Sequence, residues 1–391
     1  MQYLNRCVRV VLPLGIIFLN TSLTQQKTIE QIMREEQEAL KQIQQETLDY
    51  QDQVAEDMRL YQERISQEYE AYEVEQRRQM EEMEKEILRK WEDFRTDTRE
   101  ENVEYSADRN SRSSVNYKDG SIEVEVVADA KDPRADEKAK AEIQKKLSDL
   151  AKREDTESQL KTSAGTKVSA ANAESFAKET VKKQEIKATT YKARDGKERV
   201  KYSVKVTMAP NHVQIRAKQF KDEVEKQSKR FKIDPAIAMA VMHTESYFNP
   251  KARSHIPAYG LMQLVPKSGA RDAYIHIYKK DRLLRANYLY QPPNNIELGC
   301  AYLSKNRYRY FGGIKDDEKA YLCTICAYNT GPGNVARALS GTTNLSKAIT
   351  VANSHNTKWV HQKLQRDLPY KETKLYLLKV LKHRKMYQSR E

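Results

Sequence analysis

Glu245 ends an apolar helical run, and a carboxylate in that position can serve as a proton donor. The run opens the stretch Asp234 to Gln263, DPAIAMAVMHTESYFNPKARSHIPAYGLMQ. Asp234 suits an N-cap and Pro235 the first helical position, where a missing N–H costs nothing. Ile237, Ala240, Val241 and Thr244 then recur at helical spacing, so one face is built for burial. Asn249-Pro250 closes the run, because the residue before proline disfavours the helical region. Burial of this helix would raise the pKa of Glu245, as a general acid requires. The plainer reading is a helix-end glutamate that faces solvent.

Three more runs in the same part of the chain carry groups that could serve such an acid. They are Gly260-Leu-Met-Gln263, Ala327-Tyr-Asn-Thr-Gly331 and Glu372-Thr-Lys-Leu-Tyr376-Leu-Leu-Lys-Val380, with Ser254 between the glutamate and the first of them. In this order and spacing they resemble the lysozyme-like, SLT-type domain of lytic transglycosylases. The MAPNH run at Met208–His212, the YKDGSI run at Tyr117–Ile122 and the SGARD run at Ser268–Asp272 resemble, more narrowly, the membrane-bound murein transglycosylases of the C type. The likeness extends over residues 105–391 and is strongest in the last 180 or so.

The resemblance implies that Glu245 protonates the bond between N-acetylmuramic acid and N-acetylglucosamine. Glu245 would then take a proton from the muramic acid 6-hydroxyl, closing a 1,6-anhydro ring without water. It further implies that Ser254, Gln263, Tyr328 and Tyr376 hydrogen-bond the sugar or orient the acid, and that Met262 and Asn329 line the groove. Each also has a plainer role: Ser254 as a helix cap, Gln263 on buried backbone, and the tyrosines as core aromatics with wet hydroxyls.

Most glycosidases place a second carboxylate about 5–10 Å from the first. Asp272, Glu297 and Glu372 are the nearest in sequence to these runs. Asp272 reads as a partner of its basic neighbours and Glu297 as an exposed surface residue, so a single-acid mechanism fits better. Two other functions stay open: a goose-type lysozyme-like hydrolase, and a non-catalytic cell-wall-binding protein with a functional coil. No cofactor is expected. No metal is expected either, because Cys323-x-x-Cys326 has no second pair.

The elements that must position these residues lie in a chain of 391 residues with a formal charge of +13, unevenly spread. Lys27 to Glu104 carries 24 acidic and 12 basic side chains, a net −12; Asn211 to Glu391 carries 32 basic and 14 acidic, a net +18. The basic part calls for an anionic partner. Nucleic acid is disfavoured because no recognition module is present; peptidoglycan glycan strands fit. Arg6, Arg9 and the short apolar run Val10 to Leu19 read as a secretory signal over residues 1–24. That places the protein in the periplasm or cell envelope, with membrane contact only if the signal stays uncleaved. Cys7 precedes the apolar run, so a lipid anchor is not supported.

The fold class expected is multidomain: a long N-terminal coiled-coil helix over 27–104, a small α+β domain over 105–210 and an all-α lysozyme-like domain over 211–391. From Val54 to Phe94 bulky residues recur in steps of four, three and four, an eleven-residue repeat that predicts a straight or slightly right-handed coil. Such a stripe needs a partner helix, and a homo-oligomer through 27–104 supplies one most simply. In the middle region, Asp119-Gly120 and Asp195-Gly196 mark turns between alternating runs. A charged helix is expected over 134–152 and a linker over 153–175. Beyond Asn211, helical runs cover 213–231, 235–247, 296–310, 318–328 and 371–386. Cys300, Cys323 and Cys326 read as buried packing residues, with a disulfide from Cys300 left open. The sequence departs from the family at Cys326, where alanine is usual, in its missing lipid-anchor cysteine, and in the long coil.

Overall fold

A computed structural model describes residues 29–162 and 164–388. The expected signal over 1–24 and Cys7 lie outside the described residues. The chain divides into two units, Met1–Gln67 and Glu68–Glu391. Helix α1 (Ile29–Leu88) belongs to both. In the first unit it is charged, with Arg59 paired to Glu56 and Glu63 at 2.6 and 2.5 Å. Ile32, Met33, Leu40, Ile43, Val54 and Met58 are exposed there. Among the described residues, no helix is long and apolar enough to cross a membrane.

From Glu68 onward the stripe is covered by the second unit itself, which corrects the expectation that its whole length needs another helix. Tyr69 is buried, with Lys267 over its ring at 5.3 Å, and Lys267 pairs with Glu73 at 2.6 Å. Arg285 stands over Tyr72 at 5.3 Å. The helix stops at Leu88, sixteen residues before the expected end at Glu104. Ile87 and Trp91 are fully buried against Val127, Tyr105 and Tyr191. A strand, β1 (Glu101–Tyr105), already begins inside the segment read as coil.

The strands β2 (Ser111–Asn116), β3 (Ser121–Asp129), β4 (Lys187–Lys192) and β5 (Glu198–Thr207) complete one antiparallel sheet ordered β1-β2-β3-β5-β4. The alternation of β3 decides its two faces. Ile122, Val124 and Val126 pack on α2 (Ala135–Lys152) and α3 (Ala173–Lys183). Val127 meets Trp91, while Glu125 pairs with buried Arg112. The expected linker over 153–175 had concealed the start of α3.

Arg216 joins this module to the helical part. It lies on α4 (His212–Phe231), is fully buried, and donates to the Tyr117 carbonyl, to Gln159 Oε1 and, at 3.2 Å, to the Tyr247 carbonyl. The left-handed Gly120 of the 117–120 turn leaves room for the His212 ring, which a Cβ would meet at 2.5 Å. This is what the MAPNH and YKDGSI runs build.

Helix α5 (Pro235–Ser246) sits at the centre of the helical part. Around it pack α6 (Arg271–Tyr278), α7 (Ala286–Leu289), α8 (Pro292–Ser304), α9 (Asp317–Thr330), α10 (Pro332–Ser340), α11 (Leu345–Ser354), α12 (Thr357–Asp367) and α13 (Lys371–Tyr387). One apolar cluster, to which α5 gives Ile237 through Met242, holds them together. Cys300, Cys323 and Cys326 are free and buried in it, and burial pushes the Cys300 and Cys323 thiols up to about 12. In this structure they are thiols and no disulfide joins Cys300 to either of the other two.

Candidate active site

Asp234 Oδ1 accepts from the Ala236 N–H at 2.8 Å, and its Oδ2 holds Arg384 at 2.9 Å, so the start of α5 is capped and charge-balanced. The end comes before Asn249-Pro250: Tyr247 and Phe248 both take left-handed backbone, with φ of 51° and 62°. Two consecutive bulky residues in that region store strain that the surrounding packing must hold. Ser246 Oγ donates to the Leu261 carbonyl at 2.7 Å and ties the helix end to the Gly260–Gln263 loop.

Glu245 opens from this helix end onto a cleft of about 1200 Å³. Its side chain is 6% exposed. Burial raises its pKa to about 7, against the opposing pull of Arg99 and a weaker one from Tyr376. A carboxyl tuned so is substantially protonated near neutral pH and can still accept a proton back. The solvent-facing alternative is excluded.

The expected companions occupy different depths. Gln263 holds a left-handed φ of 46° and donates through Nε2 to the Ala252 and Gly260 carbonyls, both at 3.0 Å. Gln263 borders the cleft, and its Oε1 is buried without a protein partner. Tyr376 Oη is likewise buried without a hydrogen bond of good geometry; only a looser contact to Glu245 is in reach. Tyr328 Oη donates to the Met262 carbonyl at 2.8 Å, and Asn329 Oδ1 accepts from Thr373 Oγ1 at 2.7 Å at the cleft wall. Ser254 spends its hydroxyl inside its own turn, donating to the Ile256 carbonyl and accepting from the Ala258 N–H at 3.2 Å. It borders the cleft but caps no helix. Met262 lies beneath the groove rather than along it: its side chain is fully buried on Gly299, where a Cβ would meet Sδ at 2.1 Å.

The carboxylates sort differently from expectation in one case. Asp272 pairs with Lys305 at 3.0 Å. Glu297 is not a free surface residue; it is 14% exposed and held by Arg230 at 2.5 Å and Tyr278 at 2.8 Å. Glu372 does reach the cleft, on its rim and 71% exposed.

Two important residues escaped the sequence. Arg99 approaches Glu245 at 3.6 Å and Glu372 at 4.0 Å through the same nitrogen, from a segment read as coil. The segment also gives the cleft Asp97, whose carboxylate accepts from the Val103 N–H at 2.8 Å and from Asn102 at 3.0 Å. The bulky repeat runs on to Phe94, six residues past the end of the helix at Leu88, so it gave no sign of where the helix stops. Asn295 is the second. It accepts from the Met262 N–H at 2.8 Å and donates to the Tyr259 and Leu289 carbonyls at 2.9 and 2.8 Å, fixing the Gly260–Gln263 loop.

Residues 222–351 match the transglycosylase SLT domain family. A membrane-bound lytic murein transglycosylase C from Klebsiella pneumoniae subsp. pneumoniae is 36% identical over 200 residues, 51% of this chain and 55% of the relative. The chain thus spans about half the length of the first such relatives. A protein of the same name from Salmonella arizonae is 30% identical over 304 residues, 74% of this chain and 82% of that one. A solved lytic transglycosylase Slt from Pseudomonas aeruginosa is 28% identical over 42% of this chain and 23% of its own, with a TM-score of 0.32. With an SLT domain that carries the buried glutamate, and a relative matched over most of its length, the chain belongs to the membrane-bound lytic murein transglycosylase C family.

Proposed function

We propose that the chain is a lytic transglycosylase of the cell envelope that cleaves the glycan strands of peptidoglycan. Glu245 gives its proton to the oxygen linking N-acetylmuramic acid to N-acetylglucosamine, and the C1–O bond breaks with its electron pair going to that oxygen. The carboxylate then takes the proton of the muramic acid 6-hydroxyl as its oxygen bonds to C1. A 1,6-anhydro end forms and no water is consumed. The observation that carries this reading is one buried carboxyl, tuned to about 7, at the floor of an open cleft.

Gln263 Oε1 supports the reading, because a buried polar atom without a partner favours a ligand that supplies one. Sugar hydroxyl and N-acetyl groups have the right chemistry. Asn329 borders the groove, and Tyr328, Met262 and Ser254 shape it through backbone contacts. Self-association is proposed through the exposed apolar positions of the first unit, and export to the envelope through residues 1–24.

A hydrolytic outcome is the second reading, since Glu372 places another carboxylate at the rim. Mass analysis of digested murein separates the two. Anhydro-muramic ends support the transglycosylase; reducing ends alone refute it.

A further inference from the structure

The geometry points to Arg99 as a positioning residue: its guanidinium stabilises the carboxylate left when Glu245 gives up its proton, while Glu372 cancels its charge toward the sugar. This rests on Glu245 being the acid.

Arg99 is exposed (44%), yet the backbone on either side of it is clamped. Before it, Arg95 binds Glu123, Glu125 and Ser114 on the sheet at 3.0, 3.2 and 3.0 Å. Asp97 is held by the Val103 N–H, and the Thr98 carbonyl accepts from the Arg253 N–H at 3.2 Å. After it, the Glu100 carbonyl accepts from the Tyr117 N–H at 2.8 Å, and its carboxylate pairs with Lys118 at 3.1 Å. An exposed arginine on an ordinary loop would lose much side-chain freedom in holding one place. Here the loop is fixed by contacts on both sides, so less ordering is left to the side chain.

The groups facing the Glu245 carboxyl are Arg99 from this loop, Tyr328 from α9, and Tyr376 and Glu372 from α13. Arg99 is the cation among them. When the proton leaves, a buried carboxylate remains, and without an opposite charge its desolvation would oppose the transfer. Arg99 at 3.6 Å supplies that charge. A lone cation would also disfavour the positive charge that develops on the sugar ring. Glu372, 4.0 Å from the same nitrogen, removes that conflict. The three groups carry no net charge while Glu245 is protonated, and one negative charge after it has given its proton up.

The test is to titrate the Glu245 side-chain carboxyl by carbon-13 NMR in the full chain, with Glu245→Gln assigning the signal, alongside murein turnover against pH. Arg99→Gln should move the titration up by about one unit, the low end for an opposite charge at this range. The high-pH limb of turnover should follow, with a lower maximal rate and an unchanged KM, and Arg99→Lys should restore most of both. Glu372→Gln should move the titration down and still slow turnover, which a merely structural role would not produce. An unmoved titration in Arg99→Gln overturns the proposal whatever the murein assay reads. A wild-type chain that titrates as expected but releases nothing from murein overturns the functional reading instead.

Discussion

Asn295 occupies the space that a side chain on Gly260 would need: a Cβ there would fall 2.4 Å from Asn295 Nδ2 and 2.4 Å from the Leu289 carbonyl. Gly260 also has a φ of +76°, which side-chain-bearing residues rarely adopt. The pair fixes the loop that carries Met262 and Gln263, from a helix whose sequence gives no sign of that task.

Asn295→Ala should therefore strand the Met262 N–H and two carbonyls in the core. A cost of about 3 kcal/mol is expected from buried groups losing their partners. Thermal unfolding measures it, and murein turnover should fall further than stability alone explains. A variant as stable as wild type would show that the loop is held by other contacts.

Glu245→Gln should abolish turnover and leave binding to intact murein. The same variant has a pH signature in stability. The folded-state pKa of Glu245 is raised from 4.5 to about 7, so below 4.5 both states are protonated and no penalty exists. Between 4.5 and about 7 the unfolded chain ionises while the folded one does not, and the penalty grows. Over this span of roughly 2.5 units it reaches up to about 3 kcal/mol. Denaturant unfolding should find the glutamine variant more stable than wild type at pH 8 and equal to it at pH 4. Equal stability at both would place the carboxyl in solvent.

Turnover itself should fall as pH rises through about 7, because the first step needs the protonated acid. A high-pH limb near 4.5 would mean that burial does not tune Glu245.

Arg216→Ala would leave the Tyr117 and Tyr247 carbonyls and Gln159 Oε1 without their shared donor. Leaving a buried acceptor without its donor costs about 1–3 kcal/mol. Calorimetry should show the sheet module and the helical part melting apart, where wild type melts as one.

A fragment beginning at residue 68 should keep turnover, whereas one beginning at 105 should lose it along with Arg99 and Met80 of the cleft. Light scattering on the first fragment and on the full chain also tests the stripe. A monomer in both would discard self-association.

The start of α5 was legible because a capping aspartate and a following proline are local signals. Glu245 and Gln263 line the cleft with Tyr376 buried beside Glu245, and the runs around them could be read in order. Arg99 could not be read, since one arginine in a run of charges has no mark of its own until a distant carboxyl faces it. β2 escaped for a related reason: the strand SRSSVN buries serines and an arginine, so it shows no apolar alternation. The Tyr69–Phe94 stripe was visible, but periodicity tells that a face is covered and not by what. The short helices between Pro332 and Asp367 lay between the recognised runs and went unread.

The three core thiols give the protein an internal clock. Cys300, Cys323 and Cys326 sit at zero exposure, so an alkylating reagent reaches them only when the helical core opens. Their labelling rate in the native protein counts those openings directly. In an oxidising surrounding the same openings limit how long the fold lasts, since a thiol exposed even briefly can be oxidised before it is buried again.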